Sequence, residues 1–270
     1  MTMNKLKAYT LFSSSKGNST YISYGKDSFL IDAGASMKGI SAAVESLGGS
    51  LKALRGIFVS HEHDDHTKGL KVIAKNCGLP IYTDPKCMNI ISMHAPETEE
   101  WLVPTLAGDV VHIGDIKVTV YPTPHDSVRS FCYRIETAGG TLGYATDIGH
   151  ISDEVQDAVF GCDSVLIESN YDPYLLENGP YPQFLKERIG GNRGHLSNTA
   201  CACIAPVLAR CGTRSICLAH LSENNNTPRL AFDATKERLN EYGVKLCGET
   251  FAGDLRLQVA GVAKITEITL

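Results

Sequence analysis

Two hydrophobic periods alternate along the chain. Ala8–Ser13, Thr20–Tyr24 and Ser28–Asp32 are short apolar or alternating runs parted by Gly and Asp, which predicts three strands joined by tight turns. Ser36–Leu47 has the period of a helix, with Gly48-Gly49 as its stop. Arg55–Ser60 reads as a compact strand, Asp65–Cys77 as a helix and Leu79–Thr83 as a strand. Val110–Ile113, Lys117–Pro122, Ser130–Glu136 and Thr141–Ala145 predict strands with Gly-containing turns. A helix over Ile151–Phe160 and a strand over Ser164–Glu168 follow. Tyr171–Gly194 is irregular, with a short helix expected near Phe184–Arg188. Asn198–Arg210 reads as a helix and Ser215–His220 as a strand. Thr227-Pro228 opens a helix that runs to Tyr242 and stops at Gly243, because Thr suits the N-cap and Pro the first turn. The C-terminus predicts two short strands.

Polar clusters fall at particular places in this pattern. Asp32, His61, Asp147, Glu168 and His220 each stand at the C-terminal end of an apolar strand. Strand ends feed exposed loops from a rigid base, so ligand-binding and catalytic groups gather there. No composition break marks a linker, and one domain over residues 1–270 is expected.

Composition narrows the classes. The chain is 43% apolar and 20% charged, ordinary for a packed globular protein. Its net charge of -5 excludes a surface that is basic all over, so an anionic partner must be held locally. Nine cysteines, an odd number without a CxxC, fit reduced thiols better than a disulfide framework. Met1–Ala8 has no long apolar stretch, so no signal peptide is expected. No run is long and apolar enough for a membrane span. A cytoplasmic protein without membrane contact is the resulting expectation.

The strongest chemical signal is His61-Glu62-His63-Asp64-Asp65-His66. Imidazoles at i and i+2 can converge on one cation, while Asp65 and His66 point elsewhere and can serve a second. Nitrogen and carboxylate donors suit zinc, manganese or iron alike.

His61, His63, Asp65 and His66 match the HxHxDH motif, and on it the chain resembles the metallo-β-lactamase superfamily. Asp32 in Leu30–Gly34 resembles the family's first-motif aspartate, which supports the ligand loop. His125 in Pro124-His125-Asp126 resembles the third-motif histidine. Asp147 in Tyr144–Asp147 resembles the bridging aspartate, and His220 in Leu218–His220 the last histidine. The resemblance implies an α/β (α+β) fold, a four-layer αββα sandwich. It also implies two divalent ions: His61, His63 and His125 on one, Asp65, His66 and His220 on the other, Asp147 between them. No organic cofactor is implied. Such a pair of ions holds a hydroxide nucleophile at neutral pH and offsets the charge of a phosphodiester.

A leaving alkoxide also needs a proton. Glu168, ending Leu166–Ser169, and His195, ahead of a helix in Arg193–Asn198, supply the types for a carboxylate-oriented general acid. With Asp65 they form the expected catalytic set. Free amides at the helix start beside His195 are a further expected phosphate seat. The pair resembles the proton relay of transfer-RNA 3′-processing endonucleases, and Gly194–Asn198 resembles cyclic phosphodiesterases of phosphonate degradation. Ser13–Ser19, His61–His66, Pro124–Asp126 and Gly194–Asn198 together are most similar to small bacterial YycJ/WalJ-type double-strand DNA 5′→3′ exonucleases. DNA is therefore the expected substrate.

Other residues receive plainer readings. Ser13–Ser19 reads as a β-turn, with hydroxyl contact to phosphate the lesser alternative. Arg129, Lys186, Arg188 and Arg193 read as solvated charge, with a local basic rim as the alternative. His112 and His94 read as structural; His150 is left open between substrate-facing and supporting roles. Rival functions are a cyclic nucleotide or ribose phosphodiesterase, an RNA-processing nuclease, a glyoxalase II-like thioesterase and a non-catalytic metal-binding module. Only 50 residues follow His220, short for the thioesterase's extra domain. The 72 residues between Asp147 and His220 leave no room for the large insertion of RNase J-like nucleases.

Overall fold

The computed structural model describes residues 4–247 and 254–268; part of the leader expectation, over residues 1–3, lies outside them. Strands β1 (Lys7–Ser14), β2 (Gly17–Tyr24) and β3 (Asp27–Ile31) pair antiparallel, and β4 (Ile57–Phe58), β5 (Ile81–Thr83) and β6 (Leu102–Pro104) extend the sheet in parallel. A second sheet begins as an antiparallel meander of β7 (Val110–Ile113), β8 (Ile116–Pro122), β9 (Phe131–Thr137) and β10 (Gly140–Ala145). It continues in parallel through β11 (Ser164–Glu168), β12 (Ser215–Ala219) and β13 (Arg256–Val259). β14 (Thr266–Ile268) returns to pair antiparallel with β1, giving seven strands to each sheet among the described residues.

Three apolar layers hold these sheets. Between them lie Ile22, Phe29, Ile31 and Phe58 of the first sheet against Val118, Tyr133, Tyr144 and Leu166 of the second. The outer face of the first sheet packs on α1 (Met37–Ser46), α3 (Leu70–Cys77) and α4 (Pro85–His94), through Ile40, Val44, Ile73 and Ile91. The outer face of the second packs on α5 (Asp153–Val159), α8 (Asn198–Arg210) and α9 (Pro228–Glu241), through Val155, Cys201, Leu208 and Leu239. The order helix, sheet, sheet, helix is the expected αββα sandwich. Phe58 is fully buried and its ring meets Phe29, Tyr82 and Tyr133, so Phe58→Ala should cost about 3–5 kcal/mol.

Six helices start on a side-chain cap: Ser36, Asp84, Ser152, Asp172, Ser197 and Thr227 each accept from an amide of the first turn. Departures from expectation have local causes. The helix expected over Asp65–Cys77 divides into α2 (Asp64–Thr67) and α3, with Gly69 between. There the chain crosses the Asp32 loop: Gly69 N–H donates to Ala33 O at 2.7 Å, and a Cβ at Gly69 would stand 2.3 Å from Ala35 O. The irregular stretch holds two helices, α6 (Pro173–Asn178) and α7 (Gln183–Gly190). The region of α4 and β6 carried no expected element, although Asp84-Pro85 has the same cap-plus-proline form as Thr227-Pro228. Among the described residues all nine cysteines are free, and Cys201 is buried while Cys203 is exposed, as their divergence on one helix requires. No described helix is long and apolar enough to cross a membrane.

Candidate metal centre

The centre lies where the C-terminal ends of strands from both sheets meet. Among the described non-glycine residues, Asp32, Asp147 and His220 are the three at positive φ: 61°, 56° and 54°. Each comes just past a strand, after β3, β10 and β12. A left-handed residue there turns the chain sharply and costs about 1–3 kcal/mol, so it persists only where surrounding contacts impose it. Three such residues at one place mark the site before any ligand is considered.

The structure brings the seven expected ligand residues together. His61, His63 and His125 offer nitrogens within 4.8 Å of one another, as do the donor atoms of Asp65, His66 and His220. Asp147 lies between the sets: its Oδ2 is 3.4 Å from His66 Nε2, its Oδ1 3.7 Å from His125 Nε2. Donor atoms about 2.1 Å from one tetrahedral ion stand roughly 3.4 Å apart. The edges here are close to that: His66 Nε2–Asp65 Oδ2 3.3 Å, His220 Nε2–Asp65 Oδ2 3.5 Å, His61 Nε2–His63 Nδ1 3.0 Å.

The far side of the rings is occupied. His66 Nδ1 lies 2.8 Å from Asp32 Oδ2, His61 Nδ1 3.0 Å from Ser60 Oγ, His125 Nδ1 3.0 Å from Gly194 O and His220 Nδ1 2.8 Å from Glu168 Oε1. Such partners fix orientation and leave the other nitrogen as a ligand. His125 Nε2, His220 Nε2 and Asp147 Oδ2 are buried and make no hydrogen bond, only longer ion-pair contacts to Asp126 (3.4 Å), Asp65 (3.5 Å) and His66 (3.4 Å). Buried polar atoms without a hydrogen bond are uncommon, because each forfeits hydration with little return. Three of them, aimed into one cluster of imidazole and carboxylate donors, fit divalent cations.

Electrostatics agree. Burial acts to raise the Asp65 and Asp147 carboxyls, but neighbouring imidazoles outweigh it and hold both below the usual carboxylate range. Burial likewise acts to lower His220, yet Asp147, Asp65 and Glu168 push it up to about 10. His66 is raised well above the usual imidazole value, against burial, by Asp32, Asp147 and Asp65. His61, which burial and three surrounding imidazoles disfavour as a cation, is held well below it. The carboxylates draw positive charge into the centre, whether carried by protons or by metal.

Glu168 and His195 sit beside this cluster. Glu168 is fully buried; its Oε2 accepts from Ile148 N–H (2.9 Å) and Leu196 N–H (3.0 Å), its Oε1 from Nδ1 of His195 and of His220 (2.8 Å each). Burial would raise this carboxyl, and the two imidazoles hold it low instead. Glu168 raises His195 in turn, against the effect of burial. The His195 side chain keeps 22% of its surface exposed, whereas those of His61, His66, His125 and His220 are buried. His195 and Asp65 are therefore among the groups a substrate can reach.

Several supporting residues escaped the sequence reading. Ser60 Oγ stands 3.0 Å from each oxygen of Asp32 and within 3.1 Å of His61 and His66 nitrogens. Asn18 Nδ2 donates to Asp65 Oδ2 (3.1 Å), and Ser13 Oγ accepts from His220 N–H (2.9 Å). Their place within Ser13–Ser19 and next to His61 was the available signal. That segment is the β1–β2 turn, as expected.

Other expectations are corrected. Most amides at the start of α8 are already engaged: Leu196 donates to Glu168, Asn198 to Tyr171 O and Ala200 to Ser197 Oγ. The alternative basic rim is largely consumed. Arg193 donates to His125 O (3.0 and 2.7 Å) and Ser127 O (3.4 Å), Arg188 pairs with Asp126, and Lys186 donates to Glu177 O. His150 Nδ1 meets Asn192 O, and His112 is exposed on β7.

The profile of the beta-lactamase superfamily domain matches residues 28–221. The chain is 33% identical over 244 residues to exodeoxyribonuclease YycJ of Bacillus anthracis, covering 89% of this chain and 91% of that one. It is 34% identical over 231 residues to exodeoxyribonuclease WalJ of Streptococcus pneumoniae, covering 82% and 83%. The metallo-β-lactamase fold protein YhfI of Bacillus subtilis superposes with a TM-score of 0.68 at 16% identity, over 97% of this chain and 99% of that one. This chain belongs to the beta-lactamase superfamily, as a hydrolase of the metallo-β-lactamase fold homologous to the YycJ/WalJ exodeoxyribonucleases.

Proposed function

We propose that this chain is a phosphodiesterase dependent on two divalent ions, zinc, manganese or iron, acting on DNA as a 5′→3′ exonuclease in the cytoplasm. Residues 1–270 are read as one hydrolase domain. The observation that carries the reading is the 2.8 Å contact between His195 and Glu168 at the rim of the ligand cluster. Hydrolysis of an ester of phosphate expels an alkoxide, and a protonated imidazole placed there meets that need.

When bound, the ions supply a hydroxide nucleophile at neutral pH and offset the charge on the phosphate. The chain's own groups do the rest. His61, His63 and His125 form one ligand set, Asp65, His66 and His220 the other, with Asp147 shared. Glu168 is immobilised by two backbone amides and presents one oxygen to His195 Nδ1. That bond fixes the imidazole and favours its protonated form, leaving Nε2 to give a proton to the departing oxygen. Asp65 counts as both ligand and catalytic group. A protein of net charge -5 can accept a polyanion in this way, because charge is supplied at the centre instead of over the whole surface.

The test is to challenge the metal-loaded protein with 5′-phosphorylated duplex DNA, single strands, RNA, a ribose cyclic phosphate and a thioester. Duplex DNA shortened from its 5′ end, and a halt on chelation, are expected. Faster cleavage of the thioester or the cyclic phosphate than of DNA would refute the exonuclease reading.

A further inference from the structure

A cavity of about 600 Å³ lies between the β1–β2 turn, α2–α3 and α4 and touches the centre through Asp65. Asp65 stands in its wall, and so do Lys16, Lys68, Lys71 and His94. We infer that this cleft seats the sugar–phosphate backbone of the bound strand beside the scissile phosphate; the inference rests on the phosphodiesterase reading and assigns its backbone-binding residues.

The charge arrangement is specific. α2 ends at Thr67 and the helical hydrogen bonding lapses at Gly69, whose N–H goes to Ala33 O, so Lys68 stands in the turn before α3. Lys71 and Lys75, at i and i+4 on α3, share one face. They stand about 6 Å apart along the helix at 1.5 Å per residue, roughly two steps of a DNA strand at 3.4 Å each. Among the described residues Lys68 and Lys75 have no ion-pair partner. Lys71 meets Glu97 at 3.3 Å, with side chains 55% and 34% exposed, a weak pair that a phosphate can displace.

The acids in the same wall do not oppose an anion equally. Glu62 is turned away, accepting from Val128 N–H at 3.1 Å and facing Cys87 Sγ at 3.4 Å. Asp65 is turned into the ligand cluster. Asp64 remains exposed. Of the three wall acids only Asp64 is left to face solvent, against the cations Lys16, Lys68 and Lys71, of which Lys16 and Lys71 form ion pairs with Glu223 and Glu97, within a chain that is acidic as a whole.

The experiment measures binding of a phosphorothioate single strand to the metal-loaded protein, by fluorescence anisotropy, as a function of salt. Each phosphate contact to a single strand contributes about 0.7 to the slope of log K against log salt. Lys68→Ala with Lys71→Ala should reduce the slope by about 1.4. Between 50 and 200 mM salt the wild type should therefore lose roughly sevenfold more affinity than the double variant. Lys5→Ala with Lys26→Ala makes the same charge change at the opposite strand ends, and should leave the slope as it was. An unchanged slope in the Lys68/Lys71 variant, or an equal change in the control pair, overturns the assignment of this cleft. The parent reading is checked apart from it by wild-type turnover of bis(p-nitrophenyl) phosphate, a diester with no strand to lay along the cleft. No turnover at any metal loading would overturn the phosphodiesterase itself, whatever the slopes.

Discussion

The two sheets deliver their shares of the centre in opposite ways. From the first come Asp32 and the run His61–His66, so that four candidate ligands lie within six residues behind one short strand. Their orientation depends on one compact hub, Asp32 with Ser60, which touches both His61 and His66. From the second come His125, Asp147, Glu168, His195 and His220, scattered along the chain. Parallel register gathers three of these. Ala145 pairs with Ile167, Ile167 with Leu218 and Glu168 with Ala219, so the ends of β10, β11 and β12 stand level. His125 and His195 lie on loops and are tied to each other, through Gly194 O and the Arg193 side chain. A cluster close in sequence needs a local hub; a dispersed one needs sheet register and a clamp between loops.

That contrast makes the first sheet's share an all-or-none element. His63→Ala should lower bound metal, read by elemental analysis, and abolish turnover. A variant with normal activity would end its role as a ligand. On the second sheet, His195→Ala should keep the metals and slow turnover by about 10²–10⁴-fold, the usual range for loss of a general acid. Release of the metals in that variant would make His195 a ligand instead of a general acid.

The same contrast explains what could be read from sequence. The run His61–His66 is legible because its chemistry and spacing coincide, and strand-end residues such as Asp147, Glu168 and His220 are legible because apolar strands of β10–β12 point at them. Layer order was not legible from periodicity, since one face of each sheet looks like the other until the three cores are seen. α4 was missed although Asp84-Pro85 announces it, because its mean apolar period is weak and Met93 faces solvent at 78% exposure. Arg193 reads as surface charge in any window of sequence. Only the fold shows that its guanidinium is spent on the His125 and Ser127 carbonyls.

Arg193 is accordingly the next place to press. Arg193→Lys keeps the charge but loses the planar fork that reaches two carbonyls. The backbone carrying His125 should loosen, and metal affinity should fall about 10–100-fold, as for other residues that orient a ligand from behind. Competition with a chromophoric chelator measures this. Unaltered affinity would mean that Gly194 O alone holds His125, and that the clamp contributes nothing.

A gentler change tests the Glu168–His195 bond through pH. The buried carboxylate raises the proton affinity of His195, so the protonated imidazole persists above its usual range. For a group raised on folding, the associated stability is complete below the unfolded value and disappears as pH climbs through the folded one. If His195 gives the proposed proton to the leaving oxygen, activity follows the same limb: turnover should decline on the alkaline side of the ordinary imidazole value. Glu168→Gln removes the charge while keeping the shape, although its amide leaves former donors facing a donor. The alkaline limb of kcat should then move to lower pH, with a fall in rate that His220, sharing the same oxygen, also feels. Metal content measured on the same samples separates the two effects. If the limb stays where it was while the metals remain bound, Glu168 orients histidines without setting the proton affinity of His195, and the relay assigned to this pair is wrong.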